Sequence, residues 1–405
     1  MAPGIFYPQH QLQDYGCPST TISKKSCKKW DFYEIQPEGH VVCQAPHLPK
    51  QSFIFGKYWP PIFKPENIKS VKNMKPRDDD VFVCTYPKCG TTWIQHICAQ
   101  LMSNKYGPEA GNELSITSPM IDRMGAEYAD RLSSPRLLKT HMTWDDLPKN
   151  PKAKYIFCVR NPKDCLVSYY FHNQNFKIYN YEEGEFDYFF NFFNSKNIAF
   201  GNYYDHFLSW ISHTEEENVL FLKYEDMWEN LEDAVKKIGR FLGGRAVQKI
   251  EDEEEFRRIV NESKIDSMKK DQSRWFPADN LRGKPFIRKG GSRDWKNYFT
   301  KEQSDCMDKE WREKVCGTIA ENWWKEEMAW DVNVETTKTV QEDFYSSGPL
   351  SPTDDFLFTS SDLGSFGKPS ESILIGSCRQ HLSSTSSESG YGSFDENFIE
   401  GLLKR

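Results

Sequence analysis

The sequence of 405 residues has no long apolar run and no excess of positive charge. A membrane-spanning helix needs about 20 consecutive apolar residues, and a secretory signal needs an apolar core near the start of the chain. We find no apolar run of 18 residues and no such core within residues 1–20. The net charge of −7 provides no basic field for nucleic acid. We therefore expect a cytoplasmic protein without membrane or nucleic-acid partners.

Cysteine is present but is not arranged for disulfides or for zinc. The 11 cysteines are an odd number, spread along the chain and partly inside predicted strands and helices. This scatter is typical of reduced, buried thiols rather than of a disulfide framework. Cys158 and Cys165 have no histidine at metal-ligand spacing, so we do not expect zinc.

The composition divides the chain into three regions. Residues 1–45 mix cysteine, proline, glutamine and charge without a period, which predicts an irregular N-terminal extension. Residues 46–335 predict a single α/β domain with a central parallel sheet flanked by helices. Residues 336–405 contain 15 serines and predict a disordered tail. That tail is either a solvated appendage without a set role or a segment regulated by phosphorylation.

Within the domain, short β-rich runs alternate with stretches at helical spacing, as in βαβ units. Strands are predicted near 81–85, 137–139, 154–159 and 219–222. Helices are predicted near 92–104, 163–172, 203–212, 229–242 and 301–313. A sheet of this kind binds ligands outside the carboxyl ends of its strands.

A glycine-containing turn after the first of these strands predicts an anion site. The run Val81–Cys84 is typical of a strand covered on both faces, and helical spacing begins after Trp93. A strand that ends in such a turn and continues as a helix directs backbone N–H groups and the helix dipole at one point. Lys88, Thr91 and Thr92 add a cation and two hydroxyls. The turn lacks the glycine and lysine spacing of a Walker A loop, and this absence does not favour an ATP-splitting NTPase.

Two further segments bring cations to comparable places. Arg160 follows a predicted strand, and Ser168 lies eight residues later on the next helix, so both can face one anion. The segment Phe286–Arg293 has three cations and two glycines that permit a close backbone approach. Each has a simpler interpretation alone: an arginine paired with Asp164, or a solvated basic turn. Three such loops on one α/β chain favour an anion-binding protein.

Five segments together resemble the cytosolic sulfotransferase family. Tyr86–Trp93, with the sequence Tyr-Pro-Lys-Cys-Gly-Thr-Thr-Trp, resembles the family's 5′-phosphosulfate loop. The segments Arg160–Ser168 and Arg288–Asn297 resemble its 3′-phosphate site and its late nucleotide-binding signature. Lys139–His141 and Tyr224–Met227 are two further matches. All five stand in the family's order and at its spacing.

The resemblance covers about residues 50–330 and implies a fold, a reaction and a set of roles. The fold is a single α/β domain with a P-loop-like phosphosulfate-binding turn. The reaction is transfer of a sulfuryl group from 3′-phosphoadenosine 5′-phosphosulfate to a hydroxyl, or as a second choice an amine, of a small apolar acceptor. His141 is the expected general base, Lys88 holds the bridging oxygen, and Lys139 lies beside the transferring group. No metal is expected, since these side chains supply the positive field.

The residues that would bind the nucleotide are also carried over from the family's motifs. Those expected at its 5′ end are Lys88, Cys89, Gly90, Thr91, Thr92 and Trp93. Those expected at its 3′-phosphate are Arg160 and Ser168, joined by Phe286, Ile287, Arg288, Lys289 and Gly290. Those expected to border the adenine are Tyr224, Ser263 and Ile265. The acceptor pocket is expected from residues 53–58, the region after His141, and residues 169–193.

The chain departs from the family's pattern at several positions. Cys89 stands where the family usually has Ser or Ala. Arg293 replaces the last glycine before Asp-Trp, so it either crowds the loop or adds a contact to the 3′-phosphate. The short dimerisation motif is altered to Lys296, Thr300-Lys301 and Asp305, which leaves dimerisation open.

Two other classes of protein remain as alternatives. A kinase with an atypical P-loop would need a metal-binding carboxylate and a glycine-richer loop, and we find neither. A catalytically inactive nucleotide-binding or interaction protein on the same fold is compatible with Arg293 and with the long tails. The sequence does not specify the acceptor, since pockets for phenols, steroids, amines and lipid alcohols differ in loops.

Overall fold

The computed structural model describes residues 32–37, 39–103, 106 and 113–331. These residues form a parallel sheet covered by helices on both faces and a second, smaller antiparallel sheet. The predicted tail, residues 336–405, lies outside the described residues. None of the described helices is long and apolar enough to cross a membrane.

The strands and helices of the described residues follow in chain order. The strands are β1 (Phe32–Ile35), β2 (Val41–Gln44), β3 (Gln51–Ile54), β4 (Lys57–Trp59), β5 (Val81–Thr85), β6 (Leu137–Thr140), β7 (Lys154–Val159) and β8 (Val219–Lys223). The helices are α1 (Pro65–Lys72), α2 (Thr91–Met102), α3 (Glu113–Thr117), α4 (Ile121–Met124), α5 (Ala126–Asp130), α6 (Pro162–Asn175), α7 (Phe186–Phe193), α8 (Tyr203–Ile211), α9 (Tyr224–Glu229), α10 (Leu231–Leu242), α11 (Arg245–Glu251), α12 (Glu253–Ser263), α13 (Ile265–Lys270), α14 (Lys301–Val315) and α15 (Lys325–Met328). Short 3-10 helices lie at Lys177–Tyr179, Gln272–Arg274, Ala278–Asn280 and Asp294–Asn297.

The central sheet has the strand order β6-β5-β7-β8, and all of its pairs are parallel. The chain leaves β5 toward one side to form β6 and then crosses to the other side of β5 to form β7. The carboxyl ends of β5 and β7 therefore diverge at a topological switch point, where open α/β sheets bind their ligands.

Two apolar clusters cover the two faces of this sheet. Successive residues of a strand point to opposite faces, and Phe82 belongs to one cluster while Val83 belongs to the other. Every residue of β5 is buried, as expected of a central parallel strand. One cluster is rich in stacked aromatic rings, such as those of Phe157 and Trp210, whose centroids lie 4.8 Å apart. The sheet edge at the switch point is therefore held on a rigid support.

The smaller sheet is an antiparallel meander with the order β1-β2-β3-β4. Its first two strands lie inside residues 1–45, so the prediction of an irregular extension is wrong for residues 32–35 and 41–44. These two strands pair with each other, and β3 supplies a second partner for β2.

The elements predicted from the sequence are confirmed. The central strands agree within one residue, and the five predicted helices correspond to α2, α6, α8, α10 and α14. Many of the helices that the sequence did not predict are short, such as α4 and α15 with four residues each. Such helices depend on tertiary packing rather than on intrinsic propensity.

A fully buried ion pair supports the turn before β5. Arg136 donates from Nε to Oδ1 of Asp80 at 2.7 Å, and neither side chain is exposed to solvent. We predict that Asp80→Ala lowers the free energy of unfolding by about 3–5 kcal/mol, because the buried guanidinium loses its buried partner and keeps only its bond to the exposed Asp130. Asp78→Ala is the matched control, since Asp78 in the same turn pairs with Lys152 in solvent. Denaturant unfolding checks this, and equal effects of the two substitutions would contradict it.

Candidate active site

A cavity of about 560 Å³ opens at the carboxyl ends of β5, β6 and β7. It brings together most of the residues that the sequence motifs predicted. The predicted residues that line it are Lys88, Gly90, Thr91, Thr92, Trp93, Lys139, His141, Arg160, Ser168, Tyr224, Ile265, Phe286, Ile287, Arg288, Lys289 and Gly290. Cys89 and Ser263 do not line it, although both are buried directly behind the lining.

The turn between β5 and α2 presents a helix N-terminus to the cavity. Gly90 is the N-cap of α2 and adopts a left-handed conformation with φ of 85°, and no side chain caps the helix there. A Cβ atom at Gly90 would lie 3.1 Å from Cδ2 of Tyr224, so glycine is required for space as well as for conformation. The first turn of α2 therefore has N–H groups free to bind an anion.

Two lysines beside this turn are half-buried, and among the described residues neither forms an ion pair with a carboxylate. Burial, with Lys139 and Arg160 nearby, lowers the pKa of Lys88 to about 7. Burial lowers the pKa of Lys139 to about 8, although the carboxyl group of Asp122 opposes this shift. Both shifts arise because an ammonium group loses its hydration in the cavity. An anion bound between these lysines would therefore be strongly stabilised.

His141 is held in one orientation and one tautomer. Its Nδ1 lies 2.7 Å from the carbonyl oxygen of Thr85. A carbonyl only accepts hydrogen bonds, so Nδ1 carries the proton and Nε2 has the free lone pair. Burial and the charge of Lys139 hold the pKa of His141 well below its usual value. The ring is therefore a neutral imidazole, ready to accept a proton at Nε2.

Asp122 is a buried residue of this site that the sequence analysis missed. Its carboxylate accepts from the backbone N–H of His141 at 2.8 Å and from the hydroxyl of Thr140 at 2.5 Å. Burial raises the pKa of Asp122 to about 6. The carboxylate fixes the backbone at the end of β6 and so determines the position from which the His141 side chain extends. No motif marks it, because its partners lie 18 and 19 residues away.

Arg160 lies across the cavity from this histidine, at the carboxyl end of β7. Its guanidinium lies 4.2 Å from the centroid of the Tyr224 ring and donates to the carbonyl of Gly291 at 3.0 Å. Its buried Nε has no hydrogen-bond partner among the described residues. Ser168, two helical turns along α6, lines the same cavity, as the spacing predicted. The fork therefore keeps a donor available for a ligand.

The late basic segment closes the cavity from the other side. Arg288 pairs with Asp294, and its guanidinium lies 4.4 Å from the centroid of the Phe171 ring. Lys289 donates to the same aspartate at 2.7 Å. A Cβ atom at Gly290 would lie within 2.8 Å of Ile265, which explains the glycine at this position. These two cations are thus oriented by one carboxylate before any ligand binds.

Aromatic and polar residues complete the wall next to Tyr224. The rings of Trp93 and Tyr224 meet edge to face with centroids 5.4 Å apart. The indole N–H of Trp93 donates to the carbonyl of Ser263 at 2.7 Å, and the hydroxyl of Ser263 is bonded to Gln100. The thiol of Cys89 lies 3.7 Å from that of Cys165, inside the protein. Ser263 and Cys89 therefore act on the cavity only through its lining.

The remaining lining is largely apolar and differs in part from the expectation. Residues 169–193 contribute as expected, through Tyr169, Phe171, His172, Asn175, Phe176, Ile178 and Tyr179. The expectation is wrong for residues 53–58, which pair as β3 and β4, and for the residues after His141, which do not line the cavity. Others replace them, chiefly Pro60, Ile62, Phe63, Met120, Met124 and Phe200.

His172 is a second histidine of the cavity, within the stretch 169–193 that was expected to line the acceptor pocket. It lies one helical turn after Ser168 on α6, so the spacing of four residues was the available signal. Its Nδ1 lies 3.5 Å from Nζ of Lys88, and burial together with Lys88 holds its pKa well below the usual value. This neutral ring adds a polar group to an otherwise apolar part of the wall.

Comparison with known proteins identifies the family to which this site belongs. The family model "Sulfotransferase domain" matches residues 78–318. Sulfotransferase 6B1 of Danio rerio is 32% identical over 63% of this chain and 84% of its own length. Sulfotransferase 1B1 of Mus musculus is 33% identical over 63% of this chain and 89% of its own. The chain belongs to the sulfotransferase family.

A solved structure agrees with this assignment. The crystal structure of mouse sulfotransferase SULT7A1 complexed with PAP has 28% sequence identity and a TM-score of 0.55. The match covers 65% of this chain and 93% of the mouse protein. The protein is therefore a sulfotransferase enzyme with the α/β fold predicted from its sequence, and the kinase alternative is set aside. Among the residues that the structure describes, no cluster of His, Cys, Asp and Glu could hold a metal ion.

The conformation and crowding of Gly90 lead to a stability prediction. We expect Gly90→Ala to destabilise the sulfotransferase more than Gly317→Ala. Both glycines have positive φ, which costs an L-residue about 1–2 kcal/mol, but only the Cβ at Gly90 would meet a neighbour within 4 Å. Thermal unfolding of both variants checks the order. An equal loss would show that the Tyr224 ring moves aside without cost.

Proposed function

We propose that this sulfotransferase transfers a sulfuryl group from 3′-phosphoadenosine 5′-phosphosulfate to a hydroxyl group of a small apolar acceptor. An amine is the second choice of nucleophile. The observation that carries the proposal is that His141, Lys88 and Lys139 line one cavity together with Arg160. A proton acceptor and buried cations thus lie where an acceptor and an anionic donor can meet.

The nucleotide fits the chemistry of the residues that are present. The 5′ end would contact Lys88 to Trp93, where a free helix N-terminus and a cation favour an anion. The 3′-phosphate would contact Arg160 and Ser168, with Phe286 to Gly290 from the late segment. Support comes from the unpartnered Nε of Arg160 and from the close approach that Gly290 permits. The adenine would border the aromatic wall of Trp93, Tyr224 and Ile265, with Ser263 behind it.

The donor supplies an activated sulfuryl group, and the protein supplies position, charge and a proton acceptor. His141 would take the proton of the acceptor hydroxyl at Nε2, since Nδ1 is committed to the carbonyl of Thr85. Lys88 would hold the bridging oxygen on which negative charge develops. Lys139 would stabilise the transferring group beside it. Burial of the two lysines strengthens both electrostatic effects, because less water screens them.

The lining next to His141 argues for an apolar acceptor. The ring of Phe200 packs edge to face on the His141 ring with centroids 5.0 Å apart. Phe63, Phe176 and Met120 continue this apolar wall. A hydrocarbon or aromatic acceptor would gain free energy by leaving water there, whereas a charged acceptor would lose its hydration.

The second hypothesis is an inactive nucleotide-binding or interaction protein on the same fold. Such a protein would share the anion-binding residues around Arg160, but it would not need a base in a fixed tautomer. The oriented imidazole of His141, supported by Asp122, favours the active enzyme. Turnover of labelled phosphosulfate with a panel of phenols and alcohols decides between the two hypotheses.

We predict that His141→Ala lowers turnover by about 10²–10⁴-fold, the usual contribution of a positioned base. Binding of 3′-phosphoadenosine 5′-phosphate, the PAP found in the mouse relative, should remain nearly unchanged because the base faces the acceptor. The measurement is kcat by transfer of labelled sulfate, with the dissociation constant of PAP from calorimetry. His213→Ala, a change at a histidine outside the cavity lining, is the control. Wild-type turnover of His141→Ala would remove this residue from the mechanism.

The depressed pKa values of the lysines predict proton uptake when the nucleotide binds. At pH 8 a Lys88 with a pKa of about 7 is mostly neutral, and a Lys139 with a pKa of about 8 is half protonated. A bound anion raises both pKa values, so roughly one proton should enter per PAP bound at pH 8. At pH 6 both lysines are already charged, so their uptake falls toward zero. Affinity should therefore decrease as the pH rises from 7 to 9.

Calorimetry in buffers of different ionisation enthalpy measures this uptake directly. Lys88→Met should abolish most of it at pH 8, while Lys57→Met, at an exposed lysine, should leave it intact. An uptake at pH 8 no greater than at pH 6 would show that the lysines are charged in the empty site.

A further inference from the structure

Two features of the chain meet in space beside the cavity. One is Arg293, which replaces a glycine of the family's late signature. The other is the segment Trp324–Trp330, here named the C-terminal strap, which lies beyond the end of the family match at residue 318. We infer that the strap supports the loop Phe286–Asn297, here named the nucleotide loop, and that Arg293 is the positioning residue that joins them. The inference rests on the proposed function insofar as this loop binds the nucleotide.

Five consecutive backbone carbonyls of the strap accept hydrogen bonds from side chains. Arg293 donates to the carbonyls of Glu326 and Ala329, the latter at 3.0 Å. The indole of Trp295 donates to Glu327 at 2.8 Å. The two remaining bonds run from Lys163 to the carbonyl of Met328 and from Lys296 to the carbonyl of Trp330.

These bonds satisfy carbonyls at the C-terminal end of a helix, and the carbonyl of Glu326 also accepts from the backbone N–H of Ala329 at 3.3 Å. The helix α15 has four residues, too short to be stable by itself. Cations near the last carbonyls of a helix are favourable. Here the side chains of Arg293, Lys163 and Lys296 occupy this place, and the indole of Trp295 adds a neutral donor. Met328 and Trp324 are buried, so the strap is also anchored by apolar packing. The strap is therefore a fixed support at its contact with the nucleotide loop.

The backbone of Arg293 shows why the family has glycine here and what the arginine adds. Its φ is 65°, in the left-handed region that favours glycine. An L-residue is strained in this conformation, so the arginine is retained against a local cost. Its guanidinium is turned toward the strap carbonyls and does not line the cavity. From the sequence, Arg293 was expected either to crowd the loop or to contact the 3′-phosphate. Its side chain instead binds the strap.

The other side of the nucleotide loop is tied to the helix that follows Arg160. The buried carboxylate of Asp164 accepts from the backbone N–H groups of Arg293 at 2.7 Å and of Trp295 at 2.9 Å. Both bonds are accepted by one carboxylate, and Arg160 adds a bond to the carbonyl of Gly291 at 3.0 Å. The strap bonds hold the same loop through the side chains of Arg293, Trp295 and Lys296.

A second connection leads from the strap to the cavity. The indole of Trp324 donates to Oε2 of Glu225 at 2.9 Å. Oε1 of the same carboxylate accepts from the backbone N–H of Asn161 at 3.0 Å, directly after Arg160. The strap thus contacts both segments that face the proposed 3′-phosphate. Its contribution is preorganisation, which lowers the cost of ordering the loop around a ligand.

The test is Arg293→Gly in the full chain. Glycine adopts a positive φ without strain, so the variant should fold. Both guanidinium bonds to the strap are nevertheless lost. We expect PAP to bind roughly three- to thirtyfold more weakly, in line with loss of charge-assisted bonds that hold the loop. The value of kcat at saturating nucleotide should stay unchanged, because Arg293 touches neither reactant. His47→Gly is the control, since His47 also has positive φ, at 62°, and does not line the cavity.

A measurement without ligand separates positioning from a direct contact. Hydrogen exchange of the backbone amides in residues 290–297 should accelerate in Arg293→Gly and stay at the wild-type rate in His47→Gly. Arg293→Ala, which keeps the strain and loses the bonds, should show the same weaker binding and a lower Tm than Arg293→Gly.

The outcomes distinguish this inference from the proposed function. If the wild-type protein fails to bind PAP, the proposed function is wrong. If the wild type binds PAP and Arg293→Gly binds it equally tightly, or if exchange in the loop is unchanged, the inference is wrong. A loss of kcat at saturating nucleotide without a change in affinity also overturns it.

Discussion

The parallel pairing of β5 with both β6 and β7 is the constraint on which the site depends. Register places Cys84 opposite Thr140 and Thr85 opposite Cys158, so the three strands end at one edge. The turn after β5, the histidine after β6 and the arginine after β7 then meet without any long side chain having to reach across the molecule. A slip of one residue in either pairing would turn these segments toward opposite faces.

Burial at that edge creates an electrostatic imbalance that a ligand would relieve. Within the part of the chain that the structure describes, no carboxylate forms an ion pair with Lys88, Lys139 or Arg160, although all three face one cavity. The outer cations differ, because Arg288 and Lys289 share Asp294. The inner group is thus kept available for an anion, and the outer group is positioned in advance. Asp122 and Asp164 bond mainly to backbone N–H groups and hydroxyls, so they orient the site without neutralising its cations.

The nucleotide loop of this chain is held from two sides. A glycine-rich turn is free to move, and that freedom is costly when the turn must enclose a charged ligand. In this chain the turn lies between a carboxylate on α6 and a strap that follows the family's matched region. Arg293, which departs from the family's motif, bonds the nucleotide loop to the strap.

Local pattern was sufficient wherever a motif is contiguous. The central strands, the turn from Lys88 to Trp93, and the spacing from Arg160 to Ser168 could all be read from neighbouring residues, because strand burial and helix periodicity are local properties. Those patterns, with the resemblance they carry, determined the family, the fold class and most of the residues that line the cavity. The same reasoning missed Asp122, since its partners are distant in sequence, and it gave His172 no role of its own within the expected stretch 169–193.

Only the tertiary structure decided which way each side chain acts. Cys89 and Ser263 were expected at the cofactor, yet both are buried inside the protein, where Cys89 contacts Cys165 and Ser263 bonds to Gln100. The first two strands were not predicted from the sequence, and pairing with β3 places them in a sheet. The direction of Arg293 was undetermined until α15 supplied carbonyls for it. Sequence alone thus determined the chemistry that is available in this protein, and packing between distant segments determined which of it faces the cavity.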